Sequence, residues 1–186
     1  MGKYADDSMG KIAQKKPSGG GAEEYSTAEA VLLSATLDDM SAEHLSFLTD
    51  MLFEAGAGDV WQESVLMKKN RAGVKVCALC SPRDADALTE CFFVHSTTLG
   101  VRRSRMECSY LRRSVEEFES SFGAVRIKVA SFRGCLKAKP EFEDCRAISL
   151  KTGLPIGAVS ERIKAEYSAG RGESPAAGAN CGHLRD

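Results

Sequence analysis

Asp38 and Asp39 stand side by side between an apolar run and a helix-forming segment. Adjacent carboxylates on such a strand-to-helix turn suit a hard cation, Mg²⁺ or Mn²⁺, that carries a phosphate. Capping of the helix by Asp39 and plain solvation of Asp38 explain the pair equally well. Lys68, Lys69, Asn70 and Arg71 follow one another just before Ala72-Gly73. Three cations and an amide donor in four residues can clamp a polyphosphate, or simply form a basic hairpin loop. Thr97, Thr98, Leu99, Gly100, Val101, Arg102 and Arg103 place hydroxyls, a glycine and two guanidiniums in another turn. That turn suits phosphate contact or a plain helix-to-strand connection. Lys139-Pro-Glu-Phe-Glu-Asp-Cys-Arg146 opens a later helix. Lys139 and Arg146 beside Glu141, Glu143 and Asp144 can orient a charged ligand and its metal. Acids at a helix start also favour the helix dipole in their own right.

The sulfur and imidazole groups promise less. Cys77 and Cys80 form a C-x-x-C, but on a strand residues three apart face opposite sides, so both thiolates do not easily take one metal and core cysteines are the favoured reading. The seven cysteines are odd in number and irregularly spaced. Free thiols, no structural zinc, no disulfide and a reducing cytoplasm are the expectation. His44, His95 and His183 make no H-x-x-x-H pair. Neither a P-loop nor a Rossmann glycine signature is present.

These groups need elements to hold them. Val31 to Leu37 reads as a buried strand, Ser41 as the N-cap of a helix carrying Leu45, Leu48, Leu52 and Ala55, and Gly56 as its stop. A strand with muddled alternation is expected over 59–68. A clearer one puts Val74, Val76, Ala78 and Cys80 on one side. A helix over 84–94 with Ala87, Leu88, Cys91 and Phe92 inward leads to a strand from Val101 to Leu111, with Met106, Cys108 and Tyr110 on one face. The order is β-α-β-β-α-β, that of a ferredoxin-like sandwich. An added hairpin bends at Phe122-Gly123, with Val125, Ile127 and Val129 inward. Helices over about 140–151 and 155–167 close the chain, the second with Ile156, Val159 and Ile163 as its apolar stripe. The class is α+β, with a flexible tail over 1–28, a folded domain over 30–167 and a disordered tail over 168–186.

Lys and Arg number 25 against 26 Asp and Glu, for a net charge of −1. That balance disfavours a nucleic-acid or anionic-membrane surface as the main partner. No apolar run reaches the roughly 20 residues of a membrane span.

Seven segments occur in order: LDDM (37–40), FEAGAGDVW (53–61), MKKNRAG (67–73), TTLGVRR (97–103), FGAVRIKV (122–129), KPEFEDCR (139–146) and TGLP (152–155). The series resembles the C-terminal domain of the nickel insertion proteins of nickel-pincer nucleotide biosynthesis, over about 33–165. The resemblance implies part of a CTP-dependent nickel chelatase of the lyase class. Its substrate is a pyridinium bisthiocarboxylic acid mononucleotide, its inserted metal Ni²⁺, and CTP acts with Mn²⁺ or Mg²⁺. It also implies a homo-oligomer. On this analogy Lys68, Lys69, Asn70, Arg71, Thr97, Thr98, Arg102, Arg103 and Lys139 hold the nucleotide. Asp38, Asp39, Glu143 and Asp144 are the metal-side carboxylates. The sequence departs from the family at Ser34, Thr36, Val94-His95 and Phe142, and the family's N-terminal domain has no counterpart in it. The chain alone is therefore expected to bind metal–CTP without loading nickel, which falls to a separate N-terminal domain. The alternative is an oligomeric nucleotide sensor without chemistry.

Overall fold

The computed structural model describes the backbone of residues 14–15 and all of residues 24–171. The fold is mixed α+β, with two antiparallel sheets and four helices in two compact units, one built on Ser26–Tyr110 and the other from Leu111 onward. Most of the expected tails, and His183, lie outside the described residues.

In the first unit the strands are β1 (Gln14–Lys15), β2 (Tyr25–Leu37), β3 (Asp59–Met67), β4 (Arg71–Cys80) and β5 (Arg102–Leu111). The helices are α1 (Ala42–Glu54) and α2 (Ala85–His95). The order is β1-β2-β4-β3, and β5 also pairs with β2. β2 begins at Tyr25, well before Val31, and its first part buries the other face, where Ala28 and Ala30 pack with Leu79, Cys108 and Tyr110. β2 runs antiparallel to β4 from Val31↔Cys80 to Leu37↔Val74, and β3 to β4 from Asp59↔Leu79 to Met67↔Arg71. This register turns Val31, Leu33, Ala35, Leu37, Val76, Ala78 and Cys80 toward Leu45, Leu48 and Leu52 of α1 and Leu88, Cys91 and Phe92 of α2. Ser41 caps α1 as expected, its Oγ accepting from the His44 N–H at 3.3 Å, and Gly56 beyond its end takes φ 105°. In α2 the inward small residue is Ala85 and not Ala87, which is exposed. A helix repeats every 3.6 residues, so Ala85 and not Ala87 shares a face with Leu88 and Phe92.

Gly73 sets the spacing beneath the Asp38 turn. A Cβ there would stand 2.6 Å from Met67 Sδ and 2.8 Å from the Leu37 carbonyl oxygen. The methionine can swing aside; the backbone oxygen cannot. Gly73→Ala is therefore expected to cost about 1–3 kcal/mol, the usual penalty of overpacking. Urea unfolding of the variant beside the parent measures it, and an unchanged midpoint would show that β2 and β4 part without cost.

The expected hairpin after β5 is a three-stranded sheet in the second unit. β6 (Arg113–Ser120), β7 (Gly123–Phe132) and β8 (Cys135–Pro140) pair in that order, all antiparallel. The turn falls at Ser121-Phe122, between Ser120 and its partner Gly123. β8 escapes a sequence reading because CLKAKP is short, lysine-rich and has only Leu136 and Ala138 to alternate. Helices α3 (Phe142–Thr152) and α4 (Ile156–Gly170) bury Cys145, Val159, Ile163 and Tyr167 against Val125, Ile127 and Val129. Ile156 packs only partly, and α4 runs three residues past its expected end. Cys135 is disulfide-bonded, against the expectation of free thiols throughout, whereas Cys77, Cys80, Cys91, Cys108 and Cys145 are free. No helix among the described residues is long and apolar enough to cross a membrane.

Candidate functional site

Three connections of the first unit converge on the end of β2. Leu37 delivers Asp38 and Asp39 ahead of the α1 cap. The β3–β4 turn delivers Arg71, whose Nη1 lies 3.0 Å from Asp38 Oδ2. The α2–β5 connection delivers Thr97, whose hydroxyl donates to Asp39 Oδ1. Residues 58 positions apart in the chain thus share one hydrogen bond, and the first three sequence motifs form one cluster.

The β3–β4 turn is strained. Lys69 and Asn70 both take left-handed backbone, at φ 62° and 56°, and neither is glycine. For Lys69 that costs roughly 1–2 kcal/mol, whereas Asn is one of the residues that adopts it readily, and strain of this kind concentrates at functional positions. Lys68, Lys69, Asn70 and Arg71 are all exposed around it. Beside them, Thr98 closes a small turn: its Oγ1 donates to the Gly100 carbonyl at 2.9 Å, and its N–H donates to Ser96 Oγ at 3.2 Å. The two arginines of this segment part company. Arg102 is exposed at the start of β5. Arg103 turns onto α2, with Nη2 2.7 Å from Asp86 Oδ1 and donating to the Ala85 carbonyl at 3.0 Å.

On the sheet face away from the helices, Glu63 gathers the Trp61 indole N–H at 2.9 Å, the Lys75 ammonium at 3.2 Å and the Cys77 thiol at 3.6 Å. The Trp61 hydrogen bond, then that of Lys75, holds its carboxyl below the usual range. Cys77 is on this face and Cys80 in the helix-side core, the opposed placement that alternation requires. Burial raises the Cys77 thiol pKa and pushes Cys80 up to about 11, so neither is a ready thiolate.

Lys139, Glu143 and Asp144 belong to the second unit. Lys139 is exposed on β8, and Glu143 lies 3.7 Å from Arg146 one turn along α3. Asp144 is held tightly. Its Oδ1 accepts from Arg126 Nη2 at 2.7 Å, and its Oδ2 from the Arg126 Nε at 3.0 Å and backbone N–H at 2.9 Å. Arg126 is not among the site residues expected from the sequence, although it alternates with the inward Val125 and Ile127. This pairing lowers the Asp144 pKa. A lowered folded-state pKa gives stability that is present above the unfolded value, about 3.9, and is lost as pH falls through the folded value. Asp144→Asn should therefore cost about 1 kcal/mol near neutrality, screening by solvent included. The gap between variant and parent should close in acid. Unfolding midpoints across the acid range test this, and a pH-independent gap would refute it.

The carboxylate pairs Asp38/Asp39 and Glu143/Asp144 thus lie in different units, and Asp38, Glu143 and Asp144 each have an arginine nearby. Among the described residues no group of three or more His, Cys, Asp or Glu side chains is placed to hold a metal ion. His44 is exposed, and His95 stacks edge-on against Phe47 with centroids 5.5 Å apart.

The nickel insertion protein family model matches residues 11–160. The pyridinium-3,5-bisthiocarboxylic acid mononucleotide nickel insertion protein of Akkermansia muciniphila is 46% identical over 138 residues, 73% of this chain and 34% of that one. The protein of the same name from Acetivibrio thermocellus is 34% identical over 135 residues, 73% of this chain and 33% of that one. The chain spans about a third of the length of these relatives. Among solved structures it is similar to LarC2, the C-terminal domain of a cyclometallase involved in the synthesis of the NPN cofactor of lactate racemase, in its apo form. That match has a TM-score of 0.73 at 28% identity and covers 76% of this chain and 99% of that one. Protein MK0293 from Methanopyrus kandleri shares the fold, with a TM-score of 0.58 at 24% identity over 77% of this chain and 91% of that one. With its family model matched over most of its length and its sequence close to two proteins of that name, the chain belongs to the nickel insertion protein family.

Proposed function

We propose that this chain is the CTP- and metal-binding part of a pyridinium-3,5-bisthiocarboxylic acid mononucleotide nickel insertion protein. The observation that carries the reading is the convergence of Asp38, Asp39, Arg71 and Thr97 beside the strained Lys68–Asn70 turn. Cations and hydroxyls there face two carboxylates, as a nucleotide triphosphate with its divalent ion requires. The β5-β2-β4-β3 order around α1 and α2 supports a ferredoxin-like frame for the site.

Two adjacent carboxylates are too few to enclose an ion, but they fit Mg²⁺ or Mn²⁺ that takes its remaining ligands from phosphates and water. Such an ion, when bound, neutralises phosphate charge and orients the triphosphate. Lys68, Lys69 and Asn70 donate to phosphoryl oxygens from the left-handed turn. Arg71 is shared between Asp38 and the phosphates, and Thr97 fixes the rotamer of Asp39. Arg102 is the second cationic arm, and Arg103, tied to α2, sets where β5 starts.

Nickel is the cargo, and convergent imidazole or thiolate sites suit it better than the oxygen and cationic groups gathered here. Its handling is assigned to a separate N-terminal domain, and the homo-oligomeric state is part of the same reading. Calorimetry with CTP, ATP, GTP and UTP, each with Mn²⁺ or Mg²⁺, tests the proposal. Saturable, metal-dependent CTP binding is the expected result, and no binding heat with CTP in the presence of either metal would overturn the proposal.

A further inference from the structure

β5 pairs with β2 in the sheet of the first unit. Arg103 of β5 turns onto α2, so alternation sets Arg105 and Glu107 on the helix side with it. Ala28 and Ala30 of β2 face the other way, among Leu79, Cys108 and Tyr110, which leaves Glu29 on the helix side as well. These three charged side chains line one depression of about 370 Å³, and Ala30, Pro82 and Met106 complete its wall. All three are exposed, and no hydrogen bond or ion pair engages them among the described residues. Opposite charges on paired strands attract, and Arg71, Arg126 and Arg171 each hold a carboxylate at 3.0 Å or less. Arg105 shares its depression with two glutamates and holds neither.

The volume lies within the roughly 300–1,000 Å³ of small-molecule sites. A guanidinium fork recognises a carboxylate through two parallel hydrogen bonds. Two carboxylates against one guanidinium repel phosphates and dicarboxylates, and favour a ligand with one more cation than anion. Arg105 and Glu107 stand two residues apart on one strand, about 7 Å. A basic amino acid carries its second cation at the end of a methylene stem of comparable length. Such stems lie along apolar surface while their charged ends reach out, and Pro82 and Met106 supply that surface. We propose that this depression binds a free basic amino acid, its carboxylate on Arg105 and its two cations on Glu29 and Glu107. The proposal uses none of the residues of the Asp38–Arg71 cluster and does not require that cluster to take CTP.

The test is a nitrogen-15 NMR titration of the full chain, at fixed pH and ionic strength, with arginine, lysine, norleucine, agmatine and glutamate. Norleucine has the zwitterion without the second cation, and agmatine the two cations without the carboxylate. Arginine or lysine should give saturable shifts at the Ala30, Met106 and Glu107 amides. Norleucine should bind at least about ten-fold more weakly than lysine, and agmatine than arginine, while glutamate should leave these amides unmoved. Arg105→Gln and Glu107→Gln should each weaken binding by a similar factor, and the Leu33 and Phe92 amides should keep their positions and certify the fold. No saturable shift with either basic amino acid would overturn the proposal, as would norleucine or agmatine binding as tightly as its parent compound. Undiminished affinity in both variants would do the same and return the three charges to ordinary surface.

Discussion

Phe92→Ala should lower the stability of the first unit by about 3–5 kcal/mol, the range for truncating a buried aromatic ring. Phe92 is fully buried in α2, in one cluster with Leu33, Leu48, Leu52 and Leu88. Those neighbours belong to three elements, β2, α1 and α2, so filling the space would need more than one of them to shift. Urea denaturation followed by ellipticity measures the loss, with the midpoint falling and the slope unchanged. A loss below about 1.5 kcal/mol would mean that this core repacks as volume-conserving swaps do. Nucleotide binding offers a control on mechanism. The residue carries no polar group to the site, so affinity of the folded fraction should stay as in the parent.

Arg71→Ala should behave in the opposite way, removing nucleotide affinity and sparing the fold. Loss of a hydrogen bond to a charged group is worth about 1.5–3 kcal/mol, and the Arg71 side chain is 61% exposed, so stability hardly depends on it. The substitution also leaves Asp38 without its arginine beside the bound phosphates, which adds to the loss. Lys69→Gly sharpens the test. Glycine relieves the left-handed backbone at φ 62° while removing the ammonium, so stability should hold or rise as affinity falls. Calorimetry with CTP and Mn²⁺ reads one quantity and urea unfolding the other. Parental affinity in both variants would return the turn to ordinary surface.

How far the sequence carried can be traced residue by residue. Ser41, Gly56 and the Leu45–Leu48–Leu52 spacing define α1 because cap, stop and stripe are all local signals. The Val74-to-Cys80 alternation defines β4, and with it the opposed faces of Cys77 and Cys80. β3 reads as muddled because one face carries Trp61 and Glu63, a polar cluster that resolves only once Lys75 and Cys77 stand opposite. The start of β2 at Tyr25 is hidden because the residues buried there are only the small Ser26, Ala28 and Ala30, which give no apolar alternation to read. The meeting of Asp38 with Arg71, and of Asp39 with Thr97, depends on register across strands and could not be read from either segment alone.

The place of Trp61 gives the molecule a built-in optical label. It is the one tryptophan of the chain, seated on β3 with its indole bonded to Glu63. Its fluorescence therefore follows the first unit, while Tyr167, edge-on to Phe118 at 5.3 Å, is in the second. Helical ellipticity draws on both units, since α1 and α2 are in one and α3 and α4 in the other. Tryptophan emission and ellipticity recorded on one sample thus report whether the units melt as a single cooperative block, in which case the two curves superimpose, or in succession.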